Sequence, residues 1–210
     1  MKKKAYLFDF DGTLVDTMSS FADLAGKIIN EFHPEISFKQ ARARYLETSG
    51  IPFYQQLEII YPDDPSNPEK TKRFEEGKKT IFFNEKFSDE VRETIENLKG
   101  KGHFVGVSSN NFKELLDLFI EREGLKFDTV LGFRTSFEKG RDHFVYLGEQ
   151  FNFNWGEDVI FVGDSLKDAE KALSNGVEFI GLCGTFKRED FKKIDKNIKT
   201  VDRFSEILNL

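Results

Sequence analysis

Apolar residues fall in short blocks along this chain, and the period of the blocks changes. Residues 5–10 (AYLFDF) form a short apolar run of the kind a strand buried on both faces shows. Residues 103–109 (HFVGVSS), 129–132 (TVLG), 158–162 (DVIFV) and 177–182 (VEFIGL) are four more. Helical patterns come between them. Residues 111–123 set Leu115, Leu116, Phe119 and Ile120 on one face, and 88–99 open on Ser88 as an N-cap and stop at Gly100. Strands that alternate with helices predict parallel pairing through right-handed crossovers. The expected class is α/β, a doubly wound, Rossmann-like parallel sheet.

One segment reads differently. Phe21, Leu24, Ala25, Ile28, Ile29 and Phe32 recur at helical spacing. Residues 39–48, 53–60 and 68–83 also predict helices, and no strand pattern appears. All five prolines lie between Pro34 and Pro68, three of them within residues 61–69 (YPDDPSNPE). That shift in composition marks an insert with its own architecture. The expectation is an all-helical subdomain at 16–86, inserted just after the first strand, with 1–15 and 87–210 forming the α/β core.

A length of 210 residues is enough for a hydrophobic core without disulfide or metal staples. The single Cys183 excludes an intrachain disulfide framework and any CxxC motif. A net charge of -6 argues against nucleic acid or a membrane surface as partner, since both need clustered positive charge. It leaves room for an anionic small substrate, because a local pocket can be positive in a negative protein. The start, Met-Lys-Lys-Lys, imitates a signal peptide, but Asp9 and Asp11 break the apolar run that follows. The reading is a cytoplasmic protein.

In open α/β sheets ligands bind at the carboxyl ends of the strands. The first strand ends in Asp9-Phe10-Asp11-Gly12-Thr13. The two acids share a side only if the backbone stays extended. If it turns, one can point at a substrate and the other beside it. The second strand ends in Ser108-Ser109-Asn110, small polar groups ahead of a helix N-terminus, a ready anion site. Lys139 follows the third strand, and the fourth ends in Gly163-Asp164-Ser165-Leu166-Lys167-Asp168. His33, His103 and His143 show no ligand spacing.

These pieces together resemble the haloacid dehalogenase-like (HAD) hydrolase superfamily over essentially the whole chain. DFDGT at 9–13 matches its first motif, Ser109 the second, Lys139 the third and GDSLKD at 163–168 the fourth, while the helical insert matches its C1 cap. The nearest look is to phosphoglycolate phosphatase-like and beta-phosphoglucomutase-like members. The resemblance implies a phosphatase that acts on a small phosphorylated metabolite with Mg²⁺. Asp9 would be the nucleophile that forms an aspartyl-phosphate, and Asp11 the acid that protonates the leaving group and then activates water. Asp9, Asp164 and the carbonyl of Asp11 would hold Mg²⁺. Ser109, Asn110 and Lys139 would hold the transferring phosphoryl group. Thr13 supports the site, and Asp168 orients either Lys139 or a metal-bound water.

Departures narrow the branch. The family's usual Lys-Pro is Lys139-Gly140 here. Dehalogenases and phosphonatases lack the acid that Asp11 provides, so Asp11 points to phosphate esters. Beta-phosphoglucomutases carry a cap His where this chain has Phe21, and a cap-loop Arg after a Gly where Gly50-Ile51-Pro52-Phe53 places Phe53. Both favour a phosphatase over a phosphosugar mutase. A non-catalytic binding or regulatory protein is the remaining alternative, though such proteins lose a catalytic acid. Gly50 and Phe53 are candidate specificity residues. The natural substrate and the oligomeric state are left open by the sequence.

Overall fold

The computed structural model describes residues 4–210, and residues 1–3 of the basic start lie outside the described residues. The chain opens with β1 (Ala5–Phe8). Four helices follow: α1 (Met18–Phe32), α2 (Phe38–Glu47), α3 (Phe53–Ile60) and α4 (Asn67–Asn84). Next come α5 (Asp89–Gly100), β2 (Phe104–Phe112), α6 (Lys113–Glu123), β3 (Thr129–Phe133), α7 (Arg141–Phe151) and the short α8 (Trp155–Asp158). The chain continues with β4 (Val159–Gly163), α9 (Leu166–Ser174), β5 (Glu178–Leu182), α10 (Arg188–Ile194) and β6 (Lys199–Val201), and closes on a 3-10 turn at Phe204–Asn209. It divides into two compact units, one of the residues up to Val15 with Phe87–Leu210, the other Asp16–Lys86.

The first unit holds a six-stranded parallel sheet in the order β3-β2-β1-β4-β5-β6. This is the α/β class that the alternating pattern predicts. β1 lies in the middle, Ala5 opposite Phe104 on one side and Val159 on the other. All four of its residues are buried, as a parallel sheet covered on both faces requires. Ala5 and Leu7 join Phe161 and Phe179 in a core completed by Phe144 and Leu147 of α7, Ala169 and Ala172 of α9, and Phe191 of α10. On the other face the Phe8 ring lies 5.2 Å from Phe204, and Phe10 lies 5.1 Å from Phe119 of α6. Ser88 caps α5 by accepting from the Val91 N–H at 3.2 Å, as its sequence predicts.

Two boundaries differ from expectation. β2 does not stop at residue 109 with a helix from 111. Its register against β3 shifts after Ser108 and is recovered at Phe112, opposite Phe133. The helix therefore starts at Lys113. Gly132 makes this possible, because a Cβ there would sit 2.6 Å from the Lys113 Cα. β6 was not expected either. It is three residues long and its first, Lys199, is exposed, so no apolar run announces it.

The second unit is all-helical. Phe21, Ala25, Ile28 and Ile29 of α1 are buried, with Tyr45 of α2, Phe53 and Leu57 of α3, and Phe74 and Phe82 of α4. Phe74 is central, its ring 4.2 Å from Phe53 and 5.6 Å from Tyr45. Ser37 and Gln40 close a capping box at the start of α2. No helix among the described residues is long and apolar enough to cross a membrane.

Candidate active site

β1 delivers Asp9 to the carboxyl edge of the sheet while its backbone is still paired, its N–H donating to the Val162 carbonyl at 2.8 Å. The chain then turns rather than staying extended. The Phe10 carbonyl accepts from the N–H groups of Leu14 and Val15, both at 3.0 Å, and Gly12 takes φ 80°, a left-handed conformation that favours glycine. The turn separates the fates of the two acids. Asp9 is 4% exposed, whereas Asp11 is half-buried.

Asp9 meets three groups brought by other strand ends. Lys139, ahead of α7, donates from Nζ to Asp9 Oδ1 at 2.9 Å. The same ammonium lies 2.7 Å from Asp168 Oδ1. Asp168, in the first turn of α9, is held in turn by Ser165, whose hydroxyl donates to Oδ2 at 2.6 Å and accepts from the Asp168 N–H at 3.1 Å. A Cβ on Gly163 would lie 2.8 Å from the Asp168 Cβ, so glycine at the end of β4 is what lets that side chain come so close. Asp164 accepts from Thr13 Oγ1 at 3.3 Å. Asp9, Asp164 and Asp168 each bring a carboxylate oxygen within 4.8 Å of the others, and all three are buried.

Three buried carboxylates against one ammonium leave the pocket short of positive charge. Burial pushes the Asp9 carboxyl up to about 7 despite Lys139, with Asp168 and Asp11 adding to the rise. Burial likewise raises Asp164 well above the usual carboxylate range, with Asp9 and Asp168 acting in the same direction. Burial works against the Lys139 charge, but Asp168 and Asp9 outweigh it and hold the ammonium above the ordinary lysine range. An all-oxygen set with surplus negative charge is what a hard divalent cation takes.

β2 supplies the remaining wall. Ser109 is buried, and its hydroxyl accepts from the Asn111 N–H at 3.1 Å. Asn111 in turn donates from Nδ2 to Asp11 Oδ2 at 2.8 Å. Asn110, the sequence candidate for phosphoryl binding, is half-buried, and it is its neighbour Asn111, not singled out in the sequence, whose amide reaches Asp11. The signal was available: in an extended strand Ser109 and Asn111 share a side and Asn110 faces the other. Ser165 was missed as well, although Ser165-x-x-Asp168 is a capping pattern before a helix. Ser108 Oγ lies 2.8 Å from His143 Nδ1, and burial followed by the nearby Lys139 pushes His143 down to about 3, so this ring is a neutral structural partner. In the helical unit, Gly50 takes φ 94° after α2, and Phe53 is 2% exposed, its ring spent on the packing against Phe74.

Solved structures share this architecture. A haloacid dehalogenase-like family hydrolase from Streptococcus pneumoniae superposes with a TM-score of 0.81 at 15% identity, covering 99% of this chain and 97% of that one. A protein from Clostridium acetobutylicum described as a predicted phosphatase gives 0.79 at 22% identity, covering 99% of each chain. One from Haemophilus somnus described as a predicted phosphoglycolate phosphatase gives 0.68 at 22% identity, covering 100% and 98%. At these identities the likeness speaks for the fold. Among curated proteins the sequence has no match. The family model for haloacid dehalogenase-like hydrolases matches residues 6–182, from β1 to the end of β5 and so through every strand end that builds the pocket, and the chain belongs to that family.

Proposed function

We propose that this chain is a Mg²⁺-dependent phosphatase that hydrolyses a small phosphorylated metabolite through an aspartyl-phosphate on Asp9. The observation that carries this reading is the pairing of a buried Asp9, gripped at one oxygen by Lys139, with a second acid, Asp11, in the turn that follows. A nucleophilic carboxylate and a separate acid two residues on are what a phosphate ester needs and a halide does not.

The donor set fits Mg²⁺, since three buried carboxylates carry more negative charge than Lys139 offsets. Asp9, Asp164 and the carbonyl of Asp11 would hold the ion, with Asp168 beside them keeping Lys139 in place. When bound, Mg²⁺ supplies charge neutralisation for a phosphate dianion approaching a carboxylate. The chain's own groups do the rest. An Asp9 oxygen attacks phosphorus, the bond to the ester oxygen breaks, and the departing oxygen takes a proton from Asp11. Water then attacks the same phosphorus, Asp11 takes its proton back, and the bond to Asp9 breaks to release phosphate. Ser109 and Lys139 are placed in this reading as donors to the phosphoryl oxygens, with Asn110 beside them. The helical unit Asp16–Lys86 is read as the cap that selects the substrate, its two chain crossings serving as a hinge. Gly50 stays a candidate contact there.

The test is phosphate release from p-nitrophenyl phosphate. Turnover should need Mg²⁺, stop in EDTA, return on adding the ion back, and vanish in Asp9→Asn, because an amide cannot form the acyl-phosphate. Full turnover in stripped protein, or near-normal turnover in Asp9→Asn, would refute the mechanism.

A further inference from the structure

Asn111 makes an unusual commitment. The residue is 3% exposed, and its Oδ1 is buried without a hydrogen-bond partner. Burying an unsatisfied amide oxygen is destabilising. A small apolar residue on β2 would avoid that cost, so packing alone does not explain an amide here. What the amide does is reach across the chain to Asp11 with Nδ2 at 2.8 Å. Its own backbone is anchored at the same time, the Asn111 N–H donating to Ser109 Oγ at 3.1 Å. Asp11 itself stands beyond the end of β1, on a turn held by the Phe10 carbonyl and the left-handed Gly12.

We propose that Asn111 is the positioning residue of the acid. It ties the Asp11 carboxyl to β2, one residue beyond the backbone that carries Asn110 and two beyond Ser109. The phosphoryl-binding wall and the proton donor are thereby set by one strand. The inference rests on the phosphatase reading above. In the first step the bond from Asp9 to phosphorus forms, the ester bond breaks, and its electron pair goes to the departing oxygen. The proton that oxygen takes comes from Asp11. Asn111 exchanges nothing; it fixes where the donor stands when the ester bond breaks.

A residue that acts only by positioning the acid has a distinctive signature. Its loss hurts substrates in proportion to how much their leaving group needs the proton. The experiment measures kcat/KM for aryl phosphates graded from p-nitrophenyl to p-methoxyphenyl, with saturating Mg²⁺, in wild type, Asp11→Asn, Asn111→Ala and Asn111→Ser. The p-nitrophenyl ester should lose no more than about threefold in either Asn111 variant. The p-methoxyphenyl ester should lose about 10- to 100-fold, a part of the 10² or more that a whole general acid contributes. Asp11→Asn should steepen the same dependence further. An equal loss across the series, together with a lower melting temperature, would make Asn111 a packing residue and overturn the proposal. Asn111→Ser keeps a small polar side chain, so the series can be read even if Asn111→Ala folds poorly. Should Asp11→Asn steepen the dependence while both Asn111 variants leave it unchanged, the acid assignment stands and the positioning role falls. An inactive wild type would bring down the phosphatase reading and this inference with it.

Discussion

Among the described residues two lysines are buried, one in each unit, and their surroundings could hardly differ more. Lys70, in α4, is fully buried, its ammonium 3.0 Å from Asp64 Oδ2, 2.8 Å from His33 Nε2 and 4.7 Å from the centre of the Tyr61 ring. Asp64 also accepts from the Ser66 N–H and hydroxyl at 2.8 and 2.6 Å, and His33 lies flat on Tyr61 with ring centres 3.8 Å apart. One carboxylate meets one ammonium, and donors and rings fill the rest. The Ser66 bonds, then Lys70, hold Asp64 well below the usual carboxylate range. Lys139 sits instead among Asp9, Asp164 and Asp168, where burial raises two of the carboxyls rather than lowering them. A buried charge that is fully matched builds structure. A buried site with more carboxylates than cations raises its acids instead.

The sharpest way to break this comparison is to make both lysines apolar. Lys139→Met should cut kcat/KM for p-nitrophenyl phosphate by at least about 10²–10³-fold, the range for one charge-stabilising donor. Activity within tenfold of wild type would mean that Lys139 merely balances Asp168.

Proton competition comes next in size. The folded-state Asp9 carboxyl stands at about 7, above its unfolded value of 3.8, so metal-free folded protein keeps a proton that the unfolded chain has lost. Stability of the stripped protein should therefore fall as pH rises from about 4 to 7, and a cation must displace the proton below pH 7. The apparent Kd for Mg²⁺ should weaken by roughly tenfold per pH unit below 7, with protons released in calorimetry. The Asp64 carboxyl is shifted the other way, so its share of stability is present at neutral pH and lost as pH falls below about 4. A flat Mg²⁺ affinity between pH 5.5 and 8 would show that Asp9 is ionised without the metal, and the contrast with Asp64 would vanish.

The smallest effect on activity belongs to Lys70→Met. Breaking a buried pair costs about 3 kcal/mol, which for a chain of this size lowers Tm by roughly 6–12 °C. At a temperature where the variant is folded, kcat should stay within about twofold of wild type. A loss as deep as that of Lys139→Met would mean that the matched cluster also serves the chemistry.

Much of this could be read along the chain, and the failures are instructive. The buried runs at β1 and β4 and the acids at their ends are local facts, so Asp9, Asp164 and Lys139 were legible. Asn111 was legible only in part: alternation puts it on the side of Ser109, but that the strand runs on past residue 109 depends on Gly132, which is distant in sequence. Lys70 was hidden for a similar reason. It stands in NPEKTKRFEEGKK, a stretch that reads as a solvated helix face, and its burial depends on His33, Tyr61 and Asp64 from other segments. Phe53 was weighed as a substrate contact from its place near Gly50, yet its ring is taken up by Phe74 and Tyr45.

The place of β1 in the sheet also shapes how the chain must be made. It precedes every other strand of the sheet in the chain, yet its neighbours begin at Phe104 and Val159. At 5–20 residues per second, an apolar strand waits about 10–30 s on the ribosome for its second partner. Helices α1 to α4 emerge during that wait with a core of their own around Phe74. They can fold from local contacts while β1 remains unpaired. A nascent chain released after α6 would carry β1 beside β2 with its other edge bare, an invitation to aggregate that ends only when β4 arrives. The strand that carries Asp9 thus keeps one edge bare until most of the chain is made, and chaperone demand should peak before residue 163 is made.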